Sequence, residues 1–158
     1  MIDKNGYRAN VAIVLLNKQN RVFWGQRRNR TSWQFPQGGV VAGETPLQAM
    51  YRELHEEVGL RPNDVEVLAS TRDWYKYDIP EGLIRNKEPV CVGQKQKWFL
   101  LRLRTSEVNI DLETNKTPEF DNWRWVSYWY PINHVIYFKQ DIYRKALTYF
   151  KGYLTQKL

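Results

Sequence analysis

Cysteine and histidine are nearly missing from this chain, whose 158 residues include one cysteine, Cys91, and two histidines. That excludes an internal disulfide and any Cys/His zinc site of familiar spacing. Long apolar runs are missing as well. The longest uninterrupted aliphatic stretch, Val11 to Leu16, falls far short of the roughly 20 residues that a bilayer-spanning helix needs. Met1-Ile2-Asp3-Lys4 lacks the charged-then-apolar layout of a secretory signal. No internal repeat, low-complexity tract or Pro/Ser-rich linker separates one part from another. The expectation is a single domain over residues 1–158, cytoplasmic and free of any membrane.

What is present leans toward an anionic partner. Lys and Arg outnumber Asp and Glu by 24 to 17, a formal charge of +7 that suits phosphates. Aromatic residues make up 15%, and flat rings suit nucleobases. The same residues could equally fill a core and solubilise a surface, so composition leaves both readings open.

Hydrophobic periodicity places the elements. Val11 to Leu16 is apolar enough to be a strand buried on both faces. Asn17-Lys18-Gln19-Asn20 reads as a turn, with Arg21 to Gln26 as the hairpin partner. Thr45-Pro46 supplies a cap and a first-position proline for a helix. Its apolar face carries Leu47, Met50, Tyr51, Leu54 and Val58, and Gly59 ends it. Val65 to Ala69, Lys97 to Leu103 and Trp123 to Val126 read as further strands, and residues 78–93 and 105–118 as loops. Ile142, Ala146, Leu147 and Phe150 mark a last amphipathic helix. Strands flanked by helices imply an α/β or α+β sandwich.

The helix after Thr45 holds Arg52-Glu53-Leu54-His55-Glu56-Glu57. At about 100° per residue, Glu53, Glu56 and Glu57 share one arc of roughly 100°. Like charges at this spacing destabilise a helix, and its carboxy-terminal end disfavours negative charge further. Such a patch is best accounted for when cations occupy it. Oxygen-only ligands favour Mg2+ or Mn2+ over Zn2+. A solvated acidic face would explain the same three residues without any ion.

The flanks extend the pattern. Gly38, five residues, Glu44, seven residues, Arg52-Glu53-Leu54, one residue, Glu56-Glu57, one residue and Gly59-Leu60 resemble the Nudix box at every specified position. The resemblance implies the Nudix fold, a mixed β-sheet sandwiched between α-helices, and hydrolysis of a nucleoside diphosphate linked to another group. It implies divalent metal, Mg2+ first with Mn2+ or Zn2+ able to stand in, held by the Gly38 carbonyl, Glu53, Glu56 and Glu57, with Glu53 a ligand or the general base. Glu44 and Arg52 would pair to hold the loop against the helix.

Gly6-Tyr7-Arg8, Ser32-Trp33-Gln34-Phe35-Pro36-Gln37-Gly38-Gly39, Gln94-Lys95-Gln96-Lys97-Trp98-Phe99, Thr117-Pro118-Glu119-Phe120 and Trp123-Arg124-Trp125-Val126 are similar to one branch of that family. Its members remove pyrophosphate from the 5′-triphosphate end of RNA, leaving a 5′-monophosphate and so initiating mRNA decay. By this resemblance, which runs from Met1 to about Phe150, Glu119 is a further metal ligand or base, so that Glu53, Glu57 and Glu119 are the catalytic candidates. Arg8, Arg27, Ser32, Tyr77, Gln94 and Lys139 become phosphate or nucleotide contacts, and Phe138 the surface on which bases stack. Tyr77 also matches a tyrosine of relatives that hydrolyse dinucleoside polyphosphates such as diadenosine tetraphosphate. Two further activities fit the same residues: hydrolysis of oxidised nucleoside triphosphates, and RNA binding by a scaffold without catalysis.

Overall fold

β1 (Tyr7–Leu16) is the strand on which the sheet is built. The structure, a computed structural model, describes residues 1–154; residues 155–158, included in the single-domain expectation, lie outside them. β1 runs parallel to β7 (Gly93–Leu103), from Tyr7 opposite Gly93 to Leu16 opposite Arg102. Its run from Val11 to Leu16 is buried on both faces, as its composition predicts. Ala12, Val14 and Leu16 enter one apolar layer, and Val11, Ile13 and Leu15 the other.

The expected hairpin between β1 and β2 (Val22–Arg27) closes through a single pair, Leu16 opposite Val22. β2 then leaves to pair with β3 (Trp33–Gln34) and β8 (Phe120–Val126). The reason is that another segment occupies the edge of β1. Ile13 N donates to Pro36 O at 2.9 Å, Val40 N donates to Ala9 O at 3.0 Å, and β4 (Gln37–Gly39) pairs with Asn10 to Ala12. Backbone groups already bonded there leave no ladder for β2. Residues 35–40 thus form a wedge that splits the sheet.

An aromatic cluster fixes that wedge. The Phe35 ring stacks on Tyr143 at 4.8 Å and meets Trp24 and Trp98 edge-on at 5.3 and 5.9 Å. Each such pair contributes about 0.5–1.5 kcal/mol beyond area burial. Phe35 N also donates to the Tyr143 hydroxyl at 3.0 Å.

β5 (Val65–Ser70) and β6 (Tyr75–Asp78) both pair antiparallel with β7. Neither β4 nor β6 is among the sequence-predicted strands. β4 is three residues with two glycines, and only its pairing with β1 makes it a strand. β6 does alternate, with Tyr75 and Tyr77 inward and Lys76 and Asp78 outward, but over four residues the pattern is short.

Helices cover both faces, giving the expected α+β sandwich with a mixed sheet. α1 (Pro46–Val58) begins at Thr45, whose hydroxyl accepts from Gln48 N while Gln48 Oε1 accepts from Thr45 N. It ends at Gly59, left-handed at φ 80°, whose N–H donates to His55 O. Met50, Leu54 and Val58 pack on the Val11 layer. Leu47, predicted for that face, is exposed, and Ala49 is buried instead. α2 (Tyr130–His134) leads into α3 (Gln140–Phe150), which buries Ile142, Tyr143, Ala146, Leu147 and Phe150 against the other layer. Among the described residues no helix is long and apolar enough to cross a membrane.

Candidate active site

The inward face of α1 carries two carboxylates among its apolar residues, Glu53 at 7% exposure and Glu57 at 6%. Burying a charge is costly unless it is paired. Glu53 accepts from Arg52 Nη1 at 2.7 Å. Glu57 accepts from the backbone N–H of Gln37, in the wedge, at 3.2 Å. The two carboxyl groups are close neighbours. Burial pushes both carboxyls upward. Glu57 rises further because Glu53 beside it and Glu119 beyond it add negative charge.

Arg52 organises the outer edge. It grips Glu44 with two bonds, at 2.6 and 3.0 Å, and donates to Gly39 O at 2.7 Å. That grip holds the Glu44 carboxyl below its usual range. Arg52 also reaches Glu56 at 3.3 Å. Among the described residues no three acidic, histidine or cysteine side chains converge tightly enough to enclose an ion. Arg52 ties Glu53 and Glu56 toward Glu44, whereas Glu57 faces Gln37.

The residues present fit a small hard cation. Their donors are all oxygens. At Gly38 a Cβ atom would fall inside the Glu53 carboxyl group, so only glycine lets this backbone approach the carboxylates.

The opposite layer supplies cations and amides. Lys139, 7% exposed, donates from Nζ to Gln34 Oε1 at 3.2 Å and to Gln37 Oε1 at 3.5 Å. Burial, reinforced by the nearby Arg27 charge, pulls its pKa down to about 8. Gln96 Nε2 donates to Gln37 Oε1 at 3.2 Å and to Asn10 Oδ1 at 2.8 Å. Tyr77, pushed up to about 12 by burial, joins the network through Gln37 and lies under Lys139 Nζ, 5.7 Å from the ring centre. The half-buried Phe138 ring sits 6.0 Å from that of Tyr77.

Arg27 and Glu119 close the site. Their side chains are 3.9 Å apart, and Arg28 N donates to Glu119 O at 2.8 Å, which holds the Glu119 loop. Arg27 Nε is buried with no hydrogen-bond partner among the described residues, leaving a donor for an added acceptor. Glu53, Glu57, Glu119, Arg27, Lys139, Tyr77 and Phe138 therefore surround the wedge. Ser32 stands beside them, its carbonyl accepting from Arg27 N. Arg8 and Gln94 do not join this group directly. They pair across β1 and β7, with Tyr77 opposite Gln94 on β6, and line a neighbouring cavity.

Four residues that shape the site are not among those singled out from sequence: Asn10, Gln34, Gln37 and Gln96. Gln34, Gln37 and Gln96 do lie within the stretches that carry the family resemblance, and Asn10 directly precedes the apolar run of β1. That these amides are buried or half-buried and in need of partners follows only from the fold.

Residues 6–147 match the NUDIX domain model. Over 154 residues the chain is 82% identical to a Francisella tularensis protein named RNA pyrophosphohydrolase, covering 98% of this chain and 99% of that one. It shares its fold with the E. coli dihydroneopterin triphosphate pyrophosphohydrolase (TM-score 0.71, 23% identity, 91% of this chain and 96% of that one). It shares it also with a C. elegans Ap4A hydrolase (TM-score 0.64, 20% identity, 90% and 98%). At those identities the likeness to the two structures is one of fold alone. With the family's sequence pattern running through the wedge and α1, and the family model spanning nearly the whole chain, this protein belongs to the Nudix hydrolases.

Proposed function

We propose that this chain removes pyrophosphate from the 5′-triphosphate end of RNA, leaving a 5′-monophosphate, and that residues 1–158 act as one domain. The observation that carries the reading is the meeting, at the wedge, of buried carboxylates from one layer with Lys139, Arg27 and two aromatic rings from the other. The high identity to a protein named RNA pyrophosphohydrolase supports it, as does the net charge of +7. On this reading the enzyme works in the cytoplasm and its product opens mRNA decay.

Nudix hydrolases generally use divalent metal ions. Here the Gly38 carbonyl, Glu53, Glu56, Glu57 and Glu119 would hold them, Mg2+ first and Mn2+ or Zn2+ as substitutes. Bound there, such an ion neutralises anhydride oxygens and lowers the pKa of an attacking water. Lys139 and Arg27 offset the charge of the triphosphate and of the leaving pyrophosphate. A carboxylate of the set Glu53, Glu57 and Glu119 takes the water's proton as its oxygen bonds to phosphorus and the anhydride P–O bond breaks. Phe138, backed by Tyr77, presents a face on which a base can stack. Arg8, Ser32 and Gln94 contact the phosphates or sugars that follow. Glu44 keeps Arg52, and through it Glu53, in place.

The test compares triphosphorylated RNA with diadenosine tetraphosphate at one magnesium concentration. Release of pyrophosphate with a 5′-monophosphate left on the RNA, faster than cleavage of the dinucleotide, is the expected result. Faster turnover of diadenosine tetraphosphate would transfer the assignment to dinucleoside polyphosphates. Binding of RNA with no metal-dependent release would leave only a binding scaffold.

A further inference from the structure

Beside the site lies a second cavity, of about 560 Å3, between the amino-terminal segment, β1, β7 and the loop of residues 79–92. It lies within the range of small-ligand sites. Three cations line it, Arg8, Arg85 and Lys87, against one carboxylate, Glu88. Ile79 and Leu83 supply apolar wall. Gln94 contributes a buried Oε1 with no hydrogen-bond partner among the described residues. An acceptor left bare in such a place calls for a donor from outside. Cationic rim, apolar wall and an amide acceptor are together what one nucleotide unit engages, through its phosphate, its base face and its base N–H groups.

The sheet register fixes where this cavity stands relative to the wedge. Arg8, Gln94 and Tyr77 are successive partners across β1, β7 and β6. Adjacent strands lie about 4.8 Å apart, so Arg8 is roughly 10 Å from the strand that carries Tyr77, across which Lys139 lies. We infer that the cavity receives a downstream nucleotide of the RNA whose 5′ end is held at Lys139, with Arg85 and Lys87 binding phosphates of the strand. This rests on the proposed RNA activity and adds two residues that the sequence pattern does not single out. Both cations are exposed on the loop, so their replacement leaves the core untouched.

The test uses the full chain with Glu53→Gln to block turnover, and compares the parent with a variant that adds R85A and K87A. Affinities are measured across a salt series for a triphosphorylated dinucleotide and for a triphosphorylated RNA several residues longer. The expected result is unchanged dinucleotide binding and a roughly 3–10-fold loss for the longer RNA. For two lost single-strand phosphate contacts, the slope of log affinity against log salt should flatten by about 1.4. Without the Glu53 change, turnover of the dinucleotide should equal that of the parent. Equal losses for both lengths, or none for either, would overturn the assignment. So would a free mononucleotide that abolishes the length advantage of the parent, since the cavity would then serve free nucleotide. If the parent binds triphosphorylated RNA no better than diadenosine tetraphosphate, the RNA reading fails and takes this one with it.

Discussion

The acidic and the basic halves of the site lie on opposite layers of one sheet and are assembled by different means. Glu53, Glu56 and Glu57 come from two turns of a single capped helix, and Arg52, gripped by Glu44, braces the first two from within the same stretch of chain. The basic half gathers Arg27 from β2, Gln34 from β3, Gln37 from the wedge, Tyr77 from β6, Gln96 from β7 and Lys139 from just before α3. The acidic half is a local structure and the basic half is a tertiary one. Damage should therefore stay confined in the first and spread in the second.

The largest effect should come from the acidic half. Glu57→Gln and Glu53→Gln should each reduce pyrophosphate release to background. Their stabilities should differ. Burial disfavours the charged form of Glu57 more strongly than that of Glu53, and a neutral amide removes that penalty, so Glu57→Gln should unfold at or slightly above the parental temperature. Glu53→Gln keeps an oxygen that can accept from Arg52 but loses the charge of the pair, whose arginine side chain is 30% exposed; after allowing for solvent screening the cost is about 1 kcal/mol. Thermal unfolding in chelator checks both. Parental turnover in either variant would remove the carboxylates from the chemistry.

A smaller effect should mark the brace. Glu44→Gln and Arg52→Ala should lower activity or metal affinity by roughly 10–100-fold. Because Glu44 acts through Arg52, the double variant should be no worse than Arg52→Ala alone. Independent, additive losses would show that Glu44 and Arg52 do not work as a unit.

The smallest effect belongs to the basic half, and it depends on pH. Lys139 titrates near pH 8 in the fold, against an ordinary value of 10.5. RNA affinity should therefore fall severalfold as pH rises through about 8, a step that Lys139→Met removes. Stability should move the other way. Between about pH 8 and 10.5 the unfolded chain binds more protons than the folded one, so this lysine's contribution to stability rises across that window. Urea unfolding of parent and Lys139→Met over that range checks the sign. An affinity step that survives in the variant would assign it to another group.

Much of the fold was legible because it is written locally. The cap at Thr45, the stop at Gly59 and the periodicity of Met50, Leu54 and Val58 delimit α1 without any knowledge of its neighbours. The buried run of β1 is equally plain. The exposed Leu47 shows the limit of periodicity, which places a residue on a face but does not say whether anything covers that face. The single-pair hairpin between β1 and β2 shows another limit. Turn and strand signals were both correct, and the partner was displaced by residues 35–40, whose claim on β1 involves pairs far from any turn.

By itself the sequence determined the chemistry of the acidic half: which carboxylates share a helical face, which glycine precedes them, and what class of cation their oxygens suit. Helical spacing is a property of the chain alone, and charge crowding follows from it. Only the tertiary structure decided that Glu57 faces the wedge while Arg52 turns Glu53 and Glu56 toward Glu44. Only it brought Lys139 down to Gln34 and Gln37 and set Arg8, Gln94 and Tyr77 in one row. Those positions depend on strand register and on which backbone edge is already occupied, quantities that exist only once distant segments have paired.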